Sequence, residues 1–246
     1  MIKKTIILCE GEMDKIILSH YMIARFEYKY KKDLKGWTDE KHKNESASLY
    51  KREKYDDELI IWATGSHELL GDAFEIILNL NKVNTDVVYS RIVIIADHDS
   101  DQENKKLWDT INGKLKSQGV EVVFREQKWL EIQQKLSFDV ALDVELLGIS
   151  IPLDKNGALE TFLLDALAEQ EKNKYLANSS QKFVHSLEAN MDKMGGYLSN
   201  RRLCVKAPLC VFLPLLIQKE HLGRLRISLD LSLGRNIILY KKVSAC

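Results

Sequence analysis

Two apolar stretches that each end in carboxylates constrain this chain more than any other feature of its sequence. The first ends at Glu10, with Asp14 four residues further on, and the second ends at Asp97, with Asp99 two residues further on. Parallel strands of an open α/β sheet present side chains in the crevice at their carboxyl ends. Carboxylates gathered there repel one another unless a cation joins them. The pattern therefore predicts an α/β fold that holds Mg²⁺ or Mn²⁺, hard cations that prefer oxygen ligands.

The order of the predicted elements is typical of a mostly parallel sheet flanked by helices. Apolar runs predict strands at residues 5–9, 59–63, 91–96 and 120–124, and helical periodicity predicts helices at 13–26, 68–79 and 102–118. A helix over 157–167, capped by Asn156, and a largely helical stretch to about residue 217 are expected to follow. Residues 227–233 and 236–240 fit either late strands or helix ends.

The composition divides the chain into two parts. Residues 1–165 are expected to form a catalytic domain, and residues 166–246 a basic, mostly helical extension. Residues 27–58 are dense in Lys, Glu, Asp and Tyr, which predicts a charged insertion, a helical hairpin broken at Gly36. Its charges nearly cancel, so a solvated excursion is the first interpretation and a partner-docking arm the second.

The net charge of zero conceals an asymmetry. From Tyr197 to the C-terminus, nine Lys and Arg stand against two acids, so this segment is strongly basic and the rest of the chain is equally acidic. A basic segment beside an acidic metal site fits a polyanionic partner such as nucleic acid. A basic surface that contacts nothing, or that binds an acidic partner, fits the same composition.

The chain is expected to be cytoplasmic and to cross no membrane. No secretory signal follows Met1, and the longest apolar stretch, about residues 207–217, is too short to span a bilayer and contains two prolines. The four cysteines have neither CxxC nor zinc-site spacing, which indicates reduced thiols in a reducing compartment.

Elementary geometry gives roles to the residues at the two strand ends. Asp97 and Asp99 are one residue apart, so in extended backbone both side chains fall on one side, where they ligate one ion or straddle two. Glu10 at its strand end points into the crevice. Gly11 after it is expected to allow a tight turn and the close approach of a phosphate or a metal-bound water.

The ordered set of an apolar strand, Glu10-Gly11, Asp14 and a later strand ending in Asp-x-Asp resembles the Toprim domain. That domain is found in topoisomerases, bacterial primases, small RNA-maturing nucleases and OLD-type nucleases. Residues 151–163, a proline and a spacer followed by Gly-x-Leu-Glu-x-Phe-Leu, are similar to a block in small Toprim proteins. The resemblance covers about residues 1–165 and reaches the basic part only loosely, at residues 205–207. It implies that the glutamate and the Asp-x-Asp pair jointly hold divalent metal.

The resemblance implies further site residues. Asp14 fits the Glu-x-x-x-Asp pattern of OLD-type enzymes and is expected to supply a ligand to a second ion, and Glu160 is the expected remaining acid. Lys206 is the expected cation beside the scissile phosphate, with Arg201 and Arg202 as alternates. Two ions about 4 Å apart stabilise both the entering and the leaving oxygen of an in-line attack. The predicted catalytic residues are Glu10, Asp97, Asp99 and Lys206, and the predicted metal ligands are Glu10, Asp14, Asp97, Asp99 and Glu160.

Neighbouring polar residues have simpler interpretations. Asp101 is predicted to cap the following helix. His98 is predicted to pack or to form a hydrogen bond. Ser66 is predicted to cap a helix, with a phosphate contact as the alternative.

The sequence therefore favours a metal-dependent nuclease or nicking enzyme that acts on DNA or RNA. A phosphohydrolase of the haloacid dehalogenase type also places Asp-x-Asp after a strand, but Asp101 stands where Thr or Val is usual, and that scheme does not require Glu10. The third alternative is a Toprim-like interaction subunit that is silent or regulatory alone. OLD-type systems join a Toprim nuclease to an ATPase, and this chain has no P-loop motif, so an ATPase would act in trans. Defence against phage follows by family analogy, and assembly into a homo-oligomer stays open.

Overall fold

The computed structural model describes residues 2–34, 46–83, 87–136, 141–188, 206–212, 227–230 and 238–241. The chain forms two compact units. The first unit comprises Met1–Ala96, Ser100–Ser150 and Ile227–Lys242, and the second comprises Asp97–Asp99, Ile151–Arg226 and Val243–Cys246.

A seven-stranded mixed sheet forms the centre of the first unit. Its strands are β1 (Ile2–Cys9), β2 (Lys29–Leu34), β3 (Ser46–Arg52), β4 (Asp57–Ala63), β5 (Val87–Asp97), β6 (Leu130–Lys135) and β7 (Ala141–Ile151). Their spatial order is β2-β3-β4-β1-β5-β7-β6. Strand β1 is parallel to both β4 and β5, whereas the pairs β2–β3, β3–β4 and β6–β7 towards the two edges are antiparallel. The predicted α/β class, with a central sheet flanked by helices, is confirmed.

Helices accompany both units. The first contains α1 (Glu12–Phe26), α2 (Leu69–Val83) and α3 (Asp101–Ser117), and the second contains α4 (Leu159–Ala168), α5 (Glu171–Glu188) and a helical stretch at 206–212. A 3-10 turn occupies Glu53–Tyr55, and β8 (Ile227–Asp230) pairs with β9 (Ile238–Lys241) as an antiparallel hairpin whose β8 lies against α1. The predicted domain boundary at residue 165 lies within α4, and that boundary stays a prediction. No helix among the described residues combines the length and the apolar character needed to cross a membrane.

The central strands are buried on both faces because they are aliphatic at nearly every position. In β1, Ile6 and Leu8 are fully buried on one face, and Ile7 is buried on the other. Such continuous burial is the rule for parallel strands covered by helices. Helix α2 packs Phe74 and Ile77 into the core, three residues apart on its apolar stripe.

The predicted helical hairpin within residues 27–58 is wrong, because this segment forms β2, β3 and the start of β4. Tyr28, Ala47 and Tyr50 are buried, and the Tyr50 hydroxyl lies 2.6 Å from the Ser19 hydroxyl of α1. The charged residues of β2 are exposed along the edge of the sheet. An edge strand needs few aliphatic residues, since much of its surface faces water, so its composition resembles that of a solvated segment. Gly36 lies outside the described residues.

The predicted strand at residues 120–124 is also wrong. Val122 and Val123 are 54% and 66% exposed, and only the two ends of the run reach the core, where Phe124 is buried and Val120 is partly buried. The strands that follow α3 in the sequence are instead β6 and β7, and these two strands pair with each other. The described residues of 227–230 and 238–241 adopt strands, which resolves the choice left open there.

The N-terminal caps of two helices are formed by residues other than those predicted from the sequence. Gly119 has φ +80° directly after α3, the left-handed conformation expected of a glycine that ends a helix. The cap of α3 is Ser100 rather than Asp101, because the Ser100 hydroxyl accepts the Glu103 N–H at 3.2 Å. The N-cap position of α4 is Ala158 rather than Asn156.

Two glycines in the first unit provide a matched test of core packing. A Cβ at Gly148 would lie 2.6 Å from ring atoms of both Phe124 and Trp108, whereas a Cβ at Gly113 in α3 would meet nothing within 4 Å. We expect Gly148→Ala to lower the free energy of unfolding by about 1–3 kcal/mol through overpacking. Gly113→Ala should raise it by about 0.5–1 kcal/mol, since alanine favours the helix. Urea denaturation followed by circular dichroism measures both, and equal effects would contradict the packing described for β7.

Candidate metal centre

In the first unit, hydrogen bonds join the segment after β4 to the segment after β1. Since the two strands are parallel neighbours, their carboxyl ends emerge side by side. The Gly65 N–H donates to the Glu10 carbonyl at 2.9 Å, and the His67 Nδ1 lies 2.9 Å from Oε1 of the Glu10 carboxylate. Glu10 is 1% exposed. Both the backbone and the carboxylate of Glu10 are therefore held by the loop that leads to α2.

Asp14 is buried in the first turn of α1. Its Oδ2 accepts the Gly11 N–H at 2.8 Å, and a carboxylate at this position is also stabilised by the helix dipole. Gly11 has φ −124° and ψ 166°, an extended conformation open to any residue. The tight turn that we expected of Gly11 is therefore wrong, and its structural use is the N–H that it donates to Asp14.

Negative charge accumulates at the end of β1. Burial raises the pKa of the Cys9 thiol well above its usual value, and the carboxylates of Asp14 and Glu12 raise that pKa further. The nearby Lys15 ammonium opposes this effect, but its Nζ is itself engaged by Glu12 Oε1 at 2.8 Å. The carboxylates of Asp14, Glu12 and Glu10 and the ammonium group of Lys15 thus all act on this thiol.

In the second unit, one lysine is shared by two buried carboxylates. The Lys206 Nζ lies 3.5 Å from Asp97 Oδ2 and 3.1 Å from Glu160 Oε1. Asp97 is 4% exposed and Glu160 is 2% exposed, and a carboxylate oxygen of each lies within 4.8 Å of the other. One ammonium group therefore faces two carboxylates that are removed from water, where charge is costly unless it is paired.

The two carboxylates differ in their hydrogen-bond partners. Asp97 Oδ1 accepts the Leu159 N–H at 3.3 Å, at the N-terminus of α4. Glu160 Oε2 is buried and has no hydrogen-bond partner within the described part of the chain. An unsatisfied buried acceptor costs about 1–3 kcal/mol. Because Mg²⁺ and Mn²⁺ take carboxylate oxygens as ligands, Asp97 and Glu160 fit such an ion.

Backbone bonds around His98 align the two carboxylates. The His98 N–H donates to the Ile151 carbonyl at 2.9 Å, and its carbonyl accepts the Gly157 N–H at 2.8 Å. The His98 Nδ1 also lies 2.9 Å from the Pro152 carbonyl oxygen. The prediction that His98 forms hydrogen bonds is confirmed. These bonds hold the segment before α4 beside the end of β5, and thereby Glu160 beside Asp97.

The remaining predicted site residues have varied surroundings. Asp99 is part-buried. In the described part of the chain, no oxygen of its carboxylate lies within 4.8 Å of the grouped oxygens of both Asp97 and Glu160. The alternates Arg201 and Arg202 lie outside the described residues, as does most of the basic segment. Ser66 precedes α2, and its carbonyl accepts the Leu69 N–H.

A family model matches residues 4–213, which include every predicted site residue. The chain belongs to this family, described as proteins of unknown function (DUF3226). Among solved structures, this DUF3226 chain is similar to a hypothetical protein, PH0156, from Pyrococcus horikoshii OT3. The two are 13% identical with a TM-score of 0.48, over 90% of this chain and 91% of the other. No curated protein matches the chain significantly.

His67 is the residue of this DUF3226 chain that the sequence analysis missed. It lies 57 positions from Glu10 and belongs to no spacing motif. The signal available in the sequence was its place just after the predicted strand at residues 59–63. Parallel strands of one sheet present their following loops at a common edge, so the loop after this strand is a place where a partner of Glu10 is expected.

Removing the shared lysine tests the charge balance of the second unit. We expect Lys206→Gln to lower the free energy of unfolding by about 3 kcal/mol, because two buried carboxylates lose their cation. Millimolar Mg²⁺ should raise the thermal midpoint of this variant more than that of the wild type, since the ion takes over the lost compensation. Differential scanning calorimetry measures both quantities.

The matched control is Lys155→Gln, which removes the exposed ion pair of Lys155 with Asp165. Its cost should stay below about 1 kcal/mol. Equal losses in the two variants would contradict the charge balance described for Asp97 and Glu160. Thermal midpoints of the wild type and Lys206→Gln that Mg²⁺ leaves unchanged would contradict a cation site there.

Proposed function

We propose that this protein is a divalent-metal-dependent nuclease that cleaves phosphodiester bonds in DNA or RNA. The observation that carries the proposal is the buried pair of Asp97 and Glu160, which shares the Lys206 ammonium, while Glu160 Oε2 has no donor among the described residues. Carboxylates that hold metal beside a cationic side chain form a donor set suited to phosphoryl transfer, in which negative charge develops on phosphate oxygens.

Strand order supports the Toprim character of the proposed site. In the sheet, β1 and β5 are parallel neighbours with Cys9 paired to Ile95, so these two strands end at the same edge. Strands that pair in this way lie about 4.8 Å apart. Because their order in the sequence resembles that of the Toprim acids, Glu10, Asp14 and Asp99 are also proposed as ligands of Mg²⁺ or Mn²⁺. A second ion follows from the Toprim resemblance.

The chain's own residues would divide the chemical tasks. A bound Mg²⁺ or Mn²⁺ supplies a water of lowered pKa and neutralises charge on the leaving oxygen. Asp97, held by the Leu159 N–H, and Glu160 would hold the ion. Lys206 would neutralise a non-bridging phosphate oxygen, since its ammonium is a compact charge on a flexible stem.

The resemblance to OLD-type systems adds a regulatory proposal, in which an ATPase acts in trans and the pair serves in defence against phage. Purification of the tagged protein from its native host would show whether a P-loop ATPase accompanies it. If nucleic acid cleavage by the purified chain is rapid and indifferent to that ATPase and to ATP, the regulated-subunit alternative is wrong.

A cleavage assay with paired variants tests the nuclease proposal. Supercoiled plasmid and structured RNA are incubated with the protein in Mg²⁺ or Mn²⁺, with and without EDTA. We expect cleavage that EDTA abolishes and that falls at least about 100-fold in Glu10→Gln, Asp97→Asn and Glu160→Gln, because each change removes a charged group that acts on the transition state. The matched controls Glu131→Gln and Asp109→Asn alter exposed acids and should keep wild-type rates.

The outcomes separate the competing functions. Metal-dependent cleavage that survives in Asp97→Asn and Glu160→Gln would place the activity elsewhere. Hydrolysis of p-nitrophenyl phosphate without cleavage of plasmid or RNA would favour the phosphohydrolase. A chain that neither binds Mn²⁺ in a titration followed by electron paramagnetic resonance nor cleaves nucleic acid would overturn the proposal.

A further inference from the structure

One part-buried hydrogen bond of the first unit involves a residue, His67, that lies outside every motif of the sequence. The His67 Nδ1 is 2.9 Å from Glu10 Oε1, and the two side chains are 14% and 2% exposed. Contacts of this kind, removed from water, are stronger than exposed ones, because the surrounding dielectric is low. A ligating carboxylate depends on such neighbours for its orientation.

The backbone around His67 fixes the direction of this contact. Gly65 has φ +100°, a left-handed conformation that favours glycine, and its N–H donates to the Glu10 carbonyl. On the other side of His67, its own carbonyl accepts the Leu70 N–H as α2 begins. The imidazole is therefore carried by a segment that is bonded to the Glu10 backbone before it and joined to a helix after it.

We infer that His67 is a positioning residue that orients the Glu10 carboxylate towards divalent metal. A carboxylate is only an acceptor, so the Nδ1 of His67 carries the proton of this contact. The bond fixes Glu10 Oε1, and with it the plane of the carboxylate. This inference rests on the proposed function, because it assigns Glu10 as a metal ligand.

The alternative is that His67 contributes only to folding. Amide side chains separate the two roles, because the Asn amide nitrogen lies near the place of the imidazole Nδ1 and the Gln amide nitrogen lies nearer the place of Nε2. His67→Asn therefore keeps a donor for Glu10, whereas His67→Gln and His67→Ala do not. If His67 contributed only to folding, His67→Asn would not be expected to preserve metal binding better than His67→Gln or His67→Ala.

The experiment measures Mn²⁺ affinity without nucleic acid, by electron paramagnetic resonance of the free ion, and then the kinetics of cleavage. We expect the affinity to fall about 10–100-fold in His67→Ala and His67→Gln, and to stay within about 3-fold of wild type in His67→Asn. The kcat for cleavage should fall in the same order, with KM for nucleic acid unchanged. His20→Ala, an exposed histidine of α1, is the matched control and should match wild type.

A double-mutant cycle completes the test. In the Glu10→Gln background, His67→Ala should cause no further loss of Mn²⁺ affinity, because the positioned ligand is already gone. Thermal midpoints by circular dichroism identify any variant that is unfolded. Full additivity of the two changes, wild-type affinity in His67→Ala, or equal losses in the alanine and asparagine variants would each overturn the inference.

The results distinguish this inference from the proposed function. If Mn²⁺ binding follows the expected order but no nucleic acid is cleaved, His67 is a positioning residue and the nuclease proposal is wrong. If wild type cleaves and the His67 variants bind and cleave normally, the nuclease proposal holds and the positioning role is wrong. A wild-type chain that binds no Mn²⁺ would overturn both.

Discussion

The parallel pairing of β1 with both β4 and β5 is the constraint on which the rest of the structure depends. Parallel strands in the middle of a sheet are covered by helices on both faces, so β1 is buried on both of its faces. This burial accounts for its almost unbroken aliphatic sequence. The same pairing brings the ends of β1 and β4 to one edge of the sheet. Glu10 follows β1, and His67 lies in the loop after β4. These two side chains are 57 positions apart in the sequence, and they meet because their strands are parallel neighbours.

Buried charge is the second theme of the structure. Asp97 and Glu160 are almost inaccessible and share one ammonium group, an arrangement that adds little stability compared with apolar residues of the same size. Buried ionisable groups with strong mutual interactions cluster at functional sites, because metal binding and charge stabilisation need them. We therefore interpret the buried carboxylates and the lysine of the second unit as part of the proposed site, and not as a source of stability.

The sequence predicted the central strands and the helices between them to within a few residues, because their aliphatic periodicity is strong. It failed at β2 and β3, since edge strands face water and their Lys-rich and Tyr-rich composition resembles a solvated segment. The acids could be found from their positions after apolar runs. His67 could not, because its contact with Glu10 depends on which strands are neighbours, and periodicity does not give strand order. The lysine at position 206 came from a loose family resemblance, since no local pattern distinguishes it from other lysines.

The hairpin of β8 and β9 belongs to the first unit, although the chain builds most of the second unit before reaching it. During synthesis a protein emerges from the ribosome in chain order. All the acids of the proposed site, and Lys206, are therefore made before β8 is available to lie against α1. Nascent chains hold the chemical groups of the site while the unit that carries Glu10 is still incomplete. Completion of that unit therefore requires synthesis to have passed the β8–β9 hairpin.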